Sequence, residues 1–182
     1  MKGRKKFTLI TGGNAGKTKV NGVSVDIIAE STRPLPVDVR VFEEDTHLVL
    51  TVDPVMRYTD DHPIRLMTDI LEAEPGKPGT VVTKGTSWYA VVHDLDAEPS
   101  SREEWVADAY AALLKLAETN NVSRLGVPLL GTVHGRFQKR ESMFSLLHQI
   151  RSQSFAQLQK LSILVPDGQE TELRAMIVEL IG

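Results

Sequence analysis

The second half of the chain alternates helix and strand patterns, and this alternation constrains the fold more than any other feature. The first helix pattern opens with a capping box at Ser101–Glu104 and continues to Ala117. A continuous apolar run at Leu125–Leu130 follows it. A second helix pattern at Met143–Ile150 precedes the apolar run Leu161–Val165, and a third helix pattern follows it. Continuous apolar strands are typical of parallel sheets that helices cover. The alternation therefore predicts an α/β fold with a mixed, mostly parallel sheet.

Strand patterns dominate the first half of the chain. The pair Asn21-Gly22 favours the positive φ angles of a type I′ turn, so we expect a β-hairpin extension over residues 1–30. A second pair of strands is expected at Val37–Phe42 and Leu48–Val52, with the acidic residues Glu43–Thr46 as the turn between them.

In the middle of the chain, the spacing of apolar residues changes from a strand pattern to a helix pattern and back. Asp61–Leu71 has apolar residues at helical spacing after a capping residue and a proline, which predicts a helix. Thr80–Thr83 and Trp88–His93 are expected to be strands. A length of 182 residues suits one domain, so we expect a single domain over residues 1–182 with an α/β core at 37–182.

Composition excludes several classes of function. The chain has no Cys and only five scattered His, so we expect no metal site, and we expect no cofactor. The net charge of −3 argues against a nucleic-acid partner, because such binders must neutralise phosphates. No apolar run approaches the roughly 20 residues of a membrane span, so we expect a cytoplasmic protein without a membrane partner.

The segment between the strand at residues 124–130 and the next helix has the features of an anion-binding loop. Ligands of open α/β sheets bind at the carboxyl ends of the strands, where this loop begins. Gly131 and Gly135 allow close approach of the backbone, and the following helix directs its free N–H groups toward the loop. Arg136, Lys139 and Arg140 add positive charge. The alternative is a tight strand-to-helix turn with solvated basic residues.

Five blocks of sequence resemble the back half of a macro domain in their order and spacing. They are Gly79–Thr83, Tyr89–His93, Ala109–Ala117, Leu125–Pro128 and Gly131-Thr132. The resemblance implies a three-layer α/β/α fold that binds ADP-ribose or a related nucleotide, and some members of the family hydrolyse ADP-ribose from proteins. The N-terminal domain of leucyl aminopeptidases is a related fold without an ADP-ribose site.

The resemblance also implies which residues contact a ligand. In the family, the loop after this strand wraps the diphosphate and the distal ribose, an acidic turn residue holds the adenine, and a strand end serves the distal ribose. The corresponding candidates here are the loop residues together with Asp45 for the acidic turn and Asp53 for the strand end. The loop candidates are Gly131, Thr132, Val133, His134, Gly135, Arg136 and Phe137.

Two departures from the family pattern bear on catalysis. The segment Leu50–Pro54 has no Asn where the family has an Asn-rich strand end, and Val55–Tyr58 has no Gly where the family has a Gly-rich stretch. A loop without Gly does not readily bring its N–H groups against a pyrophosphate. We therefore expect a small-molecule-binding domain without catalytic residues. The alternatives are a macro-like scaffold that has lost its ligand and binds a protein partner, and an enzyme that removes ADP-ribose.

Overall fold

Seven strands form one mixed sheet in the computed structural model, which describes residues 18–50 and 76–181. The spatial order of the strands is β1-β2-β7-β6-β3-β5-β4. The pairs that join β2, β7, β6, β3 and β5 are parallel, and only the two outermost pairs are antiparallel. The strands are β1 (Thr18–Val20), β2 (Val23–Ala29), β3 (Val39–Asp45), β4 (Val81–Lys84), β5 (Ser87–His93), β6 (Arg124–Pro128) and β7 (Lys160–Val165). The predicted mixed, mostly parallel sheet is confirmed.

Three helices cover one face of this sheet. They are α1 (Glu103–Thr119), α2 (Lys139–Ser152) and α3 (Glu170–Ile181). The helices contact one another in chain order, and they pack on β5, β1 and β2 respectively, so they form one layer. The helix predicted at Asp61–Leu71 lies outside the part of the chain that the structure describes. No helix within the described ranges is long and apolar enough to cross a membrane.

The core between the sheet and the helices follows from the register of the strands. Val25, Leu161 and Leu125 are aligned across β2, β7 and β6, and each is fully buried. Apolar side chains at helical spacing on α1 and α2 pack against this row, because a helix buries one stripe of its surface. These helix residues are Val106, Ala109, Tyr110, Leu113, Leu114 and Ala117 on α1, and Met143, Leu146, Leu147 and Ile150 on α2.

The hairpin predicted at Asn21-Gly22 is present. Both residues have positive φ, 49° and 86°, and Val20 pairs with Val23. β2 continues into the sheet, where Ser24–Ala29 pair in parallel with β7. The hairpin therefore joins the main sheet directly.

Two local predictions are wrong. Glu43, Glu44 and Asp45 lie in β3 rather than in a turn, and residues 48–50 form no strand. The rest of the strand expected at Leu48–Val52 lies outside the described residues. The capping box at Ser101 is also absent: α1 begins at Glu103, and its N-cap Arg102 makes no side-chain cap. The buried Ser101 hydroxyl has no hydrogen-bond partner among the described residues. Ser101 precedes the N-cap by one residue, so its hydroxyl does not reach the first free N–H groups.

Candidate ligand-binding cleft

A cleft opens at the carboxyl ends of β3, β6 and β7, next to the loop after β6. Its volume is about 270 Å³, close to the lower end of the range for small-molecule sites. Apolar side chains form most of its wall, and four polar or charged residues are interspersed among them. The apolar residues are Val41, Phe42, Leu50, Pro128, Val133 and Leu164, and the others are Glu30, Arg40, Glu43 and His134.

The loop at residues 131–137 folds back on itself. Gly131 has φ +80°, and its carbonyl accepts a hydrogen bond of 3.2 Å from the Phe137 N–H. Gly135 lies so close to Gly131 that a Cβ atom on Gly135 would stand 2.3 Å from the Gly131 carbonyl oxygen. The loop conformation therefore requires glycine at residue 135, in addition to the left-handed glycine at residue 131.

The carboxylate of Glu43 fills the inside of this loop. It accepts hydrogen bonds from the N–H groups of Gly131 (2.7 Å) and His134 (2.9 Å). The Nε2 atom of His93 lies 2.5 Å from the same carboxylate, and both side chains are only 1% exposed. A buried carboxylate is tolerated because several donors satisfy its oxygens. The loop is thus organised around an acidic group of the protein itself.

A second buried network fixes the start of the loop. The Tyr110 hydroxyl of α1 accepts a hydrogen bond from the Leu130 N–H (2.8 Å) and lies 2.8 Å from the Ser142 hydroxyl. Ser142 in turn donates to the Leu130 carbonyl at 2.7 Å. Burial raises the pKa of the Tyr110 hydroxyl well above its usual range, so this group stays protonated. Two helices therefore hold the residue that precedes Gly131.

In the described part of the chain, three N–H groups of the loop lack acceptors. Among the residues that the structure describes, nothing accepts a hydrogen bond from the N–H groups of Val133, Gly135 or Arg136. The Val133 side chain is 57% exposed, and Arg136 is exposed without an ion pair in the described ranges. A ligand that approaches the loop from solvent therefore meets free donors and one guanidinium.

Other candidates from the sequence have partners inside the protein. Phe137 packs its ring 3.0 Å from the position of a Cβ on Gly131 and against the core. The Thr132 hydroxyl donates to the Leu129 carbonyl at 2.7 Å. The Asp45 carboxylate is buried and accepts from the N–H groups of His47 (2.6 Å) and Val49 (3.2 Å). Asp53 lies outside the described residues.

The basic residues after the loop also differ from one another. Arg140 donates two hydrogen bonds to Glu179 of α3, at 2.9 and 3.0 Å, and this partner holds its guanidinium away from the cleft. At the start of α2, the Glu141 carboxylate accepts a hydrogen bond of 3.2 Å from the Gln138 N–H. The Glu141 side chain therefore places a negative charge at the N-terminus of α2, the end of the helix that we expected to bind an anionic ligand.

Glu43, His93 and Arg40 were not among the candidates from the sequence. Glu43 lies on the core face of β3, where an apolar residue is usual, since Val39 and Val41 precede it on that face. His93 is buried in β5, whereas the half-buried Arg40 lies on the opposite face of β3. A charged residue on the core face of a buried strand is therefore a local signal for the site. No group of three or more metal-binding side chains occurs within residues 18–50 and 76–181.

Solved structures provide the comparison with known proteins. No protein-family model matches the chain, and no curated protein sequence is detectably similar. A mutant Oceanobacillus iheyensis macrodomain with ADPR superposes with a TM-score of 0.67 at 18% identity, over 91% of this chain and 97% of that chain. The same organism's macrodomain with ADP gives 0.64 at 15% identity, over 91% and 93%. The macro domain of ganglioside-induced differentiation-associated protein 2 gives 0.62 at 17% identity, over 88% and 84%.

These likenesses extend over nearly the whole chain at identities that indicate common architecture only. They agree with the α/β architecture described above. The chain therefore has the macrodomain fold, in a sequence that has diverged far from the solved examples.

Proposed function

We propose that this chain binds ADP-ribose or a related nucleotide diphosphate in the cleft, through the loop at residues 131–137. The observation that carries the proposal is that the N–H groups of Val133, Gly135 and Arg136 meet no acceptor within the described ranges, on a loop whose conformation is already fixed. Backbone N–H groups at the carboxyl edge of a parallel sheet are a recurrent means of holding phosphate groups. Macrodomains with ADPR and with ADP bound have the same fold, which supports this ligand class.

We propose further that binding occurs without catalysis. Glu43 and His93 lie beneath the loop, where both are buried and bonded to each other, and Glu43 also accepts from loop N–H groups. In this role they position the loop and do not approach a reacting bond. Release of ADP-ribose from a modified protein by the purified chain would contradict this part of the proposal.

Calorimetric titration with ADP-ribose and with ADP tests the proposal. We expect a dissociation constant well below 1 mM for at least one of them, with a preference for the compound that carries the second ribose. A dissociation constant weaker than about 1 mM, equivalent to about −4 kcal/mol, for both compounds would overturn it. Backbone N–H resonances of Val133, Gly135 and Arg136 should shift during the titration, because these groups meet the phosphates.

One observation favours a second candidate, a macro-like scaffold that binds a protein rather than a nucleotide. The Glu43 carboxylate already holds the N–H groups of Gly131 and His134, so these two donors are not available to a phosphate. A folded protein that gives no heat and no resonance shifts with either nucleotide would support this candidate over the first.

A further inference from the structure

The side chain of Arg40 meets no hydrogen-bond acceptor within residues 18–50 and 76–181. Its Nε atom is buried without a partner, and its Nη2 atom lies 3.8 Å from the nearest carboxylate oxygen, of Glu30, which is beyond hydrogen-bond range. A guanidinium has five N–H donors. In the part of the chain that the structure describes, none of those on Arg40 meets an acceptor.

Several other arginines in the described ranges donate hydrogen bonds to the protein. Arg124 donates to Asp38 from Nε at 3.0 Å and from Nη2 at 2.5 Å, and Arg33 donates to two backbone carbonyls at 2.8 Å. Arg40 differs from them in place as well, because it lines the cleft and its side chain is only 30% exposed. Half-buried donors without acceptors cost stability, so this arrangement is unfavourable for the protein alone.

Aromatic packing holds the Arg40 guanidinium in position. Its carbon lies 4.8 Å from the centroid of the Phe42 ring, and that ring stacks on Tyr89 at 5.6 Å with an angle of 23°. Stacking on an aromatic face fixes the plane of a guanidinium and leaves its N–H edge free. The side chain is therefore arranged for a planar, two-point interaction before any ligand arrives.

We propose that Arg40 is a ligand-binding residue of the cleft and takes an anionic group of the ligand, either a phosphate or a carboxylate. Arg40, Val133 and His134 line the same cleft, so a ligand held by the loop lies within reach of this guanidinium. The exposed Glu30 is a weak competitor, because ion pairs at such distances near solvent contribute little. The inference rests on the proposed function in one respect only, the choice of the same cleft.

The test is calorimetric titration of wild type, Arg40→Met and Arg40→Lys with four probes: ADP-ribose, ADP, pyrophosphate and succinate. Methionine keeps an apolar side chain on Phe42 and removes the donors. We expect Arg40→Met to weaken the probes that carry the recognised group by about ten- to a hundredfold, the usual effect of losing hydrogen bonds to a charged group. The affinity of Arg40→Lys should lie between those of wild type and Arg40→Met, because an ammonium group keeps the charge but lacks the two-point hydrogen-bonding geometry of a guanidinium.

Lys84→Gln is the matched control, since Lys84 is an exposed cation at the end of β4 and does not line the cleft. It should bind all probes as wild type does. Loss of pyrophosphate binding alone assigns a phosphate to Arg40, and loss of succinate binding alone assigns a carboxylate. Thermal unfolding of Arg40→Met should occur at or above the wild-type midpoint, whereas a purely structural role for Arg40 predicts a lower midpoint.

The outcomes separate this inference from the proposed function. If ADP-ribose binds wild type and Arg40→Met equally and the smaller probes behave likewise, the role of Arg40 is refuted while nucleotide binding stands. If neither nucleotide binds but pyrophosphate or succinate does, in a manner that depends on Arg40, nucleotide binding fails and the role of Arg40 stands. Failure of all four probes to bind wild type overturns both.

Discussion

The Glu43 carboxylate accepts a hydrogen bond of 2.7 Å from the N–H of Gly131, a residue 88 positions further along the chain. This bond joins the end of β3 to the loop after β6, so it couples the sheet edge to the candidate ligand-binding segment. His93, from β5, completes the contact at 2.5 Å from the same carboxylate. Three neighbouring strands of the sheet therefore determine the shape of one loop.

Replacement of Glu43 by alanine should destabilise the protein. The N–H groups of Gly131 and His134 would lose their acceptor, at a cost of about 1–3 kcal/mol for each donor that stays buried. We expect a loss of about 2–5 kcal/mol in the free energy of unfolding, measured by urea denaturation. The isosteric Glu43→Gln should also lose stability, because its amide group presents a donor where three donors converge. An alanine variant within about 0.5 kcal/mol of wild type would show that the carboxylate does not hold the loop.

Local patterns predicted the architecture well. Burial on one face explains the alternation in β2 and the apolar stripes of α1 and α2, and burial on both faces explains the apolar runs of β6 and β7. Such patterns can be recognised from residues that are close together in the sequence. The turn at Asn21-Gly22 was equally predictable from the sequence, because the preference for positive φ is a property of these two residues themselves.

The end of β3 could not be predicted in this way. An acidic run usually indicates a solvated turn, but here each carboxylate has backbone donors: Glu44 accepts from Leu50, Asp45 accepts from His47 and Val49, and Glu43 accepts from Gly131 and His134. The donors for Glu43 come from a distant segment and are invisible to a local pattern. The true turn starts at Asp45, whose side chain bonds the N–H two residues on, as turn-forming aspartates do.

Tyr110→Phe should weaken the junction between α1 and the loop. The change deletes the hydroxyl that accepts from the Leu130 N–H and bonds to Ser142, so a buried donor loses its partner. We expect about 1–3 kcal/mol less stability at neutral pH, measured by urea denaturation. A Tyr110→Phe variant within about 0.5 kcal/mol of wild type would show that this hydroxyl does not hold the junction.

The same hydroxyl predicts an alkaline dependence of stability. Burial raises the pKa of Tyr110 in the folded state, whereas the unfolded chain ionises near the ordinary value of about 10. The stabilisation is therefore fully present below pH 10 and is lost as the pH rises above it, because only the unfolded state then releases the proton. The slope of unfolding free energy against pH between 10 and 11 should be shallower in Tyr110→Phe than in wild type, and equal slopes would exclude this role.

Glu118, at the end of α1, should make the stability of the protein depend on pH in the acid range. Partial burial raises the pKa of its carboxyl, but hydrogen bonds from the N–H groups of Leu158, Ala156 and Gln157 outweigh that effect, so the pKa lies below its usual value. A lowered folded-state pKa gives stability that is present above about pH 4.5 and is lost as the pH falls through the folded value. Glu118→Gln should therefore be less stable than wild type at pH 7 and close to it near pH 3. Glu98→Gln, at an exposed position, should track wild type at both pH values.

Gly135→Ala tests whether the closed shape of the loop is the basis of binding. The added Cβ would lie 2.3 Å from the Gly131 carbonyl oxygen and 3.0 Å from the His93 ring, so the loop must open for the side chain to fit. Opening of the loop would move the N–H groups of Val133 and Arg136 away from the positions in which they could bind one ligand together. We therefore expect the affinity for ADP-ribose to fall at least tenfold. The circular dichroism spectrum should stay as in wild type, because the fold is kept. Gly76→Ala is the matched control: its Cβ would meet nothing closer than 3.4 Å, so it should bind as wild type does. Unchanged affinity in Gly135→Ala, with the loop resonances shifted, would mean that the ligand is held elsewhere in the cleft, because the only part of the site deformed by this substitution would then be dispensable.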